Sequence, residues 1–379
     1  MTLKTILPLA AVLGAMFCAV TVSLAQIWTT NIAIGGSCVA SSAGGNVLAV
    51  AASSRIYIST NSGVTWTTNS LPSTCLAVSA DGSKLVVGSS SPGAIYTSTN
   101  SGITWLQQSN PPSYGAFNNL RAIASSADGN KLVAVLYGTC PVFTSTNSGV
   151  TWTTNSAPIS YWTAVASSPD GNKLFAVNTG IWESTNSGIS WMSNNAPILG
   201  GYSAIASSAD GTIILAAIGG GGIYSSTDSG ATWASNGVPS EPWAAIASSA
   251  SGSRVVAVCY GGIYSSTNSG LAWVSNSVPF QVWNSVAASA DGMKFVALTS
   301  GRIFTRKANP NPQLDMSSSS TNLVVSWLIP STNFVVQQSS DLSSWSSTTD
   351  TPTLNLTNLQ YQVSHAPSNN SGFFRLVSQ

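Results

Sequence analysis

Hydrolysis of a glycosidic bond needs two facing carboxylates, while nucleophile or zinc chemistry needs His, Cys or Asp in clusters. The carboxylates of this chain are few and mostly repeated. Asp81, Asp128, Asp170, Asp210 and Asp291 each precede a glycine at one turn of a recurring segment, and Asp228 sits in a second recurring phrase. Glu183 stands where sister segments carry Thr97, Thr144, Ser225 and Ser265, so it reads as a solvated variant. Within the repeats only Glu241 remains, and alone it makes no acid/base pair. His365 is the only histidine, with no cysteine nearby, so no His-dependent nucleophile or zinc site can be assembled. Gly219 to Gly222 joins two strand-like runs instead of opening a helix, so it is no phosphate cradle. The sequence therefore assigns no catalytic residue, no metal ligand and no cofactor.

The elements that would position these residues are repeats. STNSGVTW (Ser59 to Trp66) returns with small changes ending at Trp105, Trp152, Trp191, Trp233 and Trp273, at spacings of 39, 47, 39, 42 and 40 residues. A second phrase of the form AIASSADGxKLVAV starts at Ala122, Ala164, Ala204, Ala245 and Ser285, with looser copies from Cys38 and Cys75. Each of the seven modules holds four short β-type runs separated by turn residues, including the Asp-Gly pairs that favour tight hairpins. Four strands in about 40 residues make a β-propeller blade. The last module continues after Phe304 as TRKANPNP and lacks the Trp phrase, while Ile27 to Asn31 (IWTTN) reads like the TWTTN of Thr65 to Asn69. An N-terminal strand would then complete the last blade and hide two sheet edges. The expectation is an all-β, seven-bladed propeller over residues 26–308.

The Ser, Gly and Trp positions of the first phrase resemble the Asp-box, or BNR, motif of sialidases and other secreted propellers, although only Asp228 keeps the Asp and Asn takes its place elsewhere. That resemblance implies an arginine triad and a Tyr/Glu nucleophile pair if the chain were a sialidase. Arg302-Ile303-Phe304 and Arg55-Ile56-Tyr57 resemble its R-I-P motif, but both occupy one repeat position, and Arg121 and Arg254 complete no triad. The repeats are also similar to those of the photosystem II assembly factor family. Past a linker at 309–312, FVVQQSSDLSSW (Phe334 to Trp345) and FFRL (Phe373 to Leu376) resemble C-terminal modules of large secreted bacterial proteins. This implies a small immunoglobulin- or fibronectin-like β-sandwich over 313–379, with no activity attached.

Residues 1–25 read as a signal peptide: Lys4, an apolar run from Ile6 to Val22, then Ser23-Leu24-Ala25. A secreted, periplasmic or cell-surface location follows. No later stretch is long enough for a membrane span. Charged residues make up 6% of the chain against about 25% in ordinary soluble proteins, and the net charge of +1 offers nucleic acid no basic patch. Cys38 and Cys75 fall at equivalent places in the first two modules, where a disulfide is open to them; Cys140 and Cys259 read as unpaired thiols.

A ligand would meet the loops that join second to third strands and module to module. Trp162, Tyr202, Trp243 and Trp283 precede the inner strand in four consecutive modules, forming an aromatic arc that would stack on sugar rings or grip a peptide. The plainer alternative is that they cover the blade tops. The longest inter-module loop adds Tyr114, Phe117 and Asn118, with Glu241 on the rim. The functional expectation is a non-catalytic propeller binding a carbohydrate or protein. A degenerate glycoside hydrolase and an assembly or scaffold factor are the alternatives, and oligomeric state is not legible.

Overall fold

The structure, a computed structural model, describes residues 4–5, 28–31, 35–89, 94–108, 119–197, 200–276 and 278–307. Beyond these it describes 315–318, 323–328, 334–339, 344, 346–348, 353–355, 360–365 and 373–378. Tyr114, Phe117, Asn118 and the linker lie outside the described residues, as does nearly all of the expected signal peptide. Among the described residues every regular element is a β-strand, and the architecture is a β-propeller.

Each of the first six repeats is an antiparallel meander of four strands and the last contributes three, giving sheets one to seven in chain order. The innermost strands are Cys38–Ser41, Cys75–Val78, Leu120–Ser125, Ala164–Ser167, Tyr202–Ser207, Glu241–Ser248 and Trp283–Ala288. The second strands are apolar and mostly buried on both faces, as in Leu48–Ala52 and Leu132–Leu136, because each is covered by a sheet on either side. Third strands run from Arg55–Ser59 to Ile303–Lys307. The outermost strands are only two or three residues long, which limits edge-to-edge pairing. Sheets five and six are further joined where Gly219 and Gly221 pair with Pro242 and Glu241.

In sheet seven the outermost strand is Trp28–Thr30, pairing antiparallel with Arg306, Thr305 and Phe304. Its register repeats that of Thr67–Asn69 on Arg55–Ser59, with Thr30 opposite Phe304 as Thr68 is opposite Tyr57. Arg306 stands where sister strands carry the first Ser of the Trp phrase. It is 5% exposed and donates from Nη1 to Asn276 Oδ1 at 3.1 Å, bridging to sheet six in place of the absent phrase. Burial pulls its pKa down to about 10, and neighbouring Arg254 adds to the effect.

Local hydrogen bonds explain the phrase. Ser59 Oγ accepts from the Gly63 N–H (2.8 Å) and donates to Asn61 Oδ1 (2.9 Å), which also accepts from the Thr65 N–H (2.8 Å). Asn61 Nδ2 donates to Thr65 Oγ1; in the Asp228 copy the direction reverses and Thr232 Oγ1 donates to the carboxylate at 2.6 Å. Asn therefore replaces Asp with the same geometry and no charge. The turn holds a serine at positive φ in all six copies, Ser62 to Ser269, followed by a glycine. A Cβ on Gly102 would lie 1.9 Å from Ile58 Cδ1 of the preceding sheet and would sit at φ 80°, so a side chain there would displace Ile58 and strain the backbone.

Sheets are stapled to their neighbours at the turns between first and second strands. Lys131 Nζ donates to Asn172 Oδ1 (2.8 Å) and Ser187 Oγ (3.2 Å), while Lys294 Nζ reaches Asn46 Oδ1 (2.7 Å). The same turns make a backbone ring. Ala43 N–H donates to Ala80 O, Ala80 to Ala127 and Ala127 to Pro169; Ala209 donates to Ala250, Ala250 to Ala290, and Ala290 returns to Ala43. The step from Pro169 to Ala209 is missing because proline has no N–H.

The described C-terminal residues form two further four-stranded sheets. One contains Asp315–Ser318, Leu323–Leu328, Gln360–His365 and Thr353–Asn355; the other contains Phe373–Ser378, Phe334–Ser339, Ser346–Ser347 and Lys4–Thr5.

Candidate functional site

The two ends of the propeller differ in chemistry. At the end of the Trp phrases and Asp-Gly turns, polar side chains are committed to the network above. Partial burial raises the carboxyls of Asp81, Asp128, Asp170 and Asp210, but bonds from a serine two residues earlier and from the turn backbone outweigh it. All four end below the ordinary carboxylate range. Asp291 is more deeply buried, and there burial wins and its pKa rises. Asp228 is held down to about 2, chiefly by the Thr232 hydroxyl. A cavity of about 190 Å³ opens inside this end, lined by Ser125, Ser167, Ser207, Ser248 and ring alanines, with no charged group among its lining residues.

The opposite end carries the inter-sheet loops and the turns between second and third strands. The four aromatics expected to form an open arc here are buried: Trp162 and Trp283 are 1% exposed, Trp243 2% and Tyr202 0%. This corrects the stacking-platform expectation, since such rings offer no face to a ligand. In three of the four sheets the strand shifts register just after the ring, at Tyr202, Trp243 and Trp283. The shift leaves one residue unpaired and turns the aromatic between sheets. Trp162 Nε1 then donates to Cys140 O and Trp243 Nε1 to Gly221 O, each 2.9 Å away on the preceding sheet, and the Tyr202 hydroxyl donates to Pro197 O at 2.6 Å. Trp283 packs edge-on to Phe304, with centroids 4.8 Å apart.

The residue after each of these positions, held by Gly36 and Ser73 in the first two sheets and by an aromatic in the last four, takes the place at the inner rim. Ser37 Oγ donates to Thr74 O, Thr74 Oγ1 to Leu120 O, Thr163 Oγ1 to Tyr202 O, and Asn284 Nδ2 to Gly36 O, each reaching the next sheet. Arg121 breaks this pattern, stacking over Tyr137 at 4.9 Å and donating to its hydroxyl at 3.2 Å. Exposed side chains also lie one or three residues before the buried aromatics: Ile159 and Tyr161, Phe280 and Val282. Period-two alternation away from the Trp would have pointed to them. Phe280 stacks edge-on against Tyr260 of the adjacent turn, centroids 5.2 Å apart, and both are more than half exposed. Glu241 is half-buried on this rim.

All four described cysteines are free, so the Cys38–Cys75 bridge is not formed. The Cys38 thiol faces the Leu76 amide and the Ser285 hydroxyl, and Cys75 faces Gly88 and Thr74. They lie on innermost strands of neighbouring sheets, near enough for Cys38 to add to the rise of the Cys75 thiol, and both remain free. Burial raises all four thiols, Cys259 to about 11 with Glu241 adding to the effect. Glu183 is half-buried and raised by that burial, and it accepts from Asn194 Nδ2 at the end of the neighbouring strand of its own sheet, so it is partly withdrawn from solvent.

No protein-family model matches the chain, and no curated protein matches it in sequence. Among solved structures, YCF48 bound to D1 peptide superposes with a TM-score of 0.58 at 14% identity, covering 75% of this chain and 95% of the other. The GH74 xyloglucanase from Xanthomonas campestris gives 0.59 at 16% identity, covering 80% of this chain and 59% of the enzyme. The WD40 repeats of RRP9 give 0.58 at 12% identity, covering 76% and 98%. At these identities the likeness is one of fold.

Proposed function

We propose that the chain is an exported, non-catalytic binding protein, a seven-bladed propeller that holds a protein or glycan partner on its loop face. The observation that carries this reading is the contrast between the ends. One end repeats its hydrogen-bond network in sheet after sheet, whereas the loop face departs from the repeat and exposes Tyr161, Tyr260, Phe280 and Val282. Seven blades are supported by the backbone ring that returns from Ala290 to Ala43, and closure by the Trp28–Thr30 pairing. The shared geometry of the Asn and Asp228 phrases supports an Asp-box identity. Residues 1–25 serve as the export signal, and Lys4–Thr5 leaves with them. Residues 313–379 are an accessory β-sandwich after the 309–312 linker.

The peptide-bound YCF48 structure and the WD40 propeller support a protein partner or a scaffold role. The test is a pull-down from the native secretome together with a glycan array, using wild type and a Tyr260→Ala, Phe280→Ala double variant. Binding lost in the variant upholds the loop face; binding that is unchanged refutes it. The xyloglucanase neighbour keeps a hydrolase reading in view. Sugar release that disappears in Glu241→Gln would replace the binding reading with that one.

A further inference from the structure

Charge on the loop face is predominantly positive. Arg55 opens the third strand of sheet one, Arg302 lies just before that of sheet seven, and both are exposed. Arg121 joins them on an innermost strand, and Glu241 is the only carboxylate described on this face. The repeated Asp and Lys residues all lie at the other end, where acids and bases offset one another. The undescribed stretches between residues 28 and 307 contain no charged residue, so they do not alter this balance.

An apolar patch runs into the arginines. Tyr260, Phe280 and Val282 are 53%, 73% and 48% exposed, and Tyr260 bridges to Val282 while Gly261 N–H donates to Gln281 O at 2.8 Å. Next along the chain, Trp283 pairs with Thr299, whose Oγ1 accepts from the Arg302 N–H at 3.0 Å. From there Gly36 N–H reaches Thr299 O, Ser37 N–H donates to Ala51 O, and Ala52 pairs with Arg55. The patch and the two arginines thus lie along one continuous arc over sheets six, seven and one.

We propose that this arc binds a peptide carrying a carboxylate beside an apolar side chain, the carboxylate on Arg302 and Arg55 and the side chain against Tyr260, Phe280 and Val282. The inference rests on the loop face being the ligand face and names the chemistry of the ligand. Charge complementarity selects the occupant: a neutral glycan would use the rings and leave the arginines without a partner, whereas an acidic peptide uses both.

The experiment titrates fluorescein-labelled octapeptides with Phe or Leu between Asp or Glu residues into the mature chain. Parallel peptides carry Asn/Gln or Lys in place of the acids, or Ser in place of the apolar residue, and neutral xylo- and cello-oligosaccharides form a further arm. The acidic apolar peptide is expected to bind and to weaken about tenfold in an Arg55→Ala, Arg302→Ala double variant and in the Tyr260→Ala, Phe280→Ala variant. It should also weaken as salt rises from about 0.05 to 0.5 M. The peptide exchanges supply the same comparison on the unmodified protein, so the outcome does not depend on the variants folding. Equal binding of the Asn/Gln or Lys peptides, or unchanged binding by the arginine variant, overturns the inference. Oligosaccharide binding lost only in the aromatic variant overturns it while leaving the loop-face reading intact. Silence to every probe overturns it too, and the loop-face reading is then decided by the pull-down.

Discussion

Replacing Asn31 by alanine tests how the propeller is closed. Asn31 Nδ2 donates to Gly63 O at 3.1 Å, joining the end of the N-terminal strand to sheet one, and its Oδ1 accepts from Thr305 Oγ1 at 3.1 Å, joining it to sheet seven. Its counterpart Asn69 makes the same inter-sheet bond, Nδ2 to Gly102 O at 3.1 Å, but lies within a continuous stretch of chain. At about 1 kcal/mol per net hydrogen bond, Asn31→Ala should cost about 2 kcal/mol and Asn69→Ala about 1 kcal/mol. Asn31→Asp should be the worst of the three near neutral pH, because it sets a carboxylate oxygen against the Gly63 carbonyl. Urea denaturation followed by tryptophan fluorescence gives the numbers. The midpoints should fall in that order with unchanged slope, since the native area buried is the same. An Asn31→Ala loss below about 0.5 kcal/mol, or smaller than that of Asn69→Ala, would refute the claim that the N-terminal strand is latched as an internal one is.

Three further outcomes follow from the same geometry. Ser229 sits at φ 57°, so Ser229→Val should destabilise by about 1–2 kcal/mol and Ser229→Asn should be neutral or stabilising, checked by thermal melts. For acid titration, Asp128 has a lowered folded pKa. Its stabilisation is therefore full above its unfolded pKa of about 4 and disappears as pH falls through the folded value. Asp291 is raised, so its ionisation costs stability above that value. Asp128→Asn should destabilise at pH 7 and progressively less as pH falls below about 4, and Asp291→Asn should be neutral or stabilising at pH 7; a shared sign at pH 7 would refute the contrast. The buried thiols of Cys75, Cys140 and Cys259 should resist iodoacetamide at pH 8 in the native protein and react readily in urea, read by mass spectrometry; rapid native labelling of Cys75 or Cys259 would contradict their raised pKa values.

The legible features were those whose bonds close within a few residues. The phrase from Ser59 to Trp66 is such a case, because its serine, Asn61 and Thr65 satisfy one another locally, and each Asp-Gly turn does the same. The likeness of IWTTN to TWTTN was readable for a related reason: an outer strand needs only a fitting edge, wherever in the chain it arises. The aromatics misled because spacing shows which residues share a position but not which way they turn. A one-residue shift after Trp243 or Trp283 sends the ring between sheets and brings Ala244 or Asn284 to the rim, a choice made by packing against the preceding sheet.

Cys38 and Cys75 show the same limit, since equivalent positions became neighbours without becoming bonded. The arc of Tyr260, Phe280, Arg302 and Arg55 was equally hidden, as these residues are scattered from 55 to 302 and share no motif. The sequence by itself determined the repeat, the strands and their turns, because short-range hydrogen bonding and alternation are written residue by residue. Only the tertiary structure decided which side chains face solvent on the loop end, because that depends on how each sheet packs against the next.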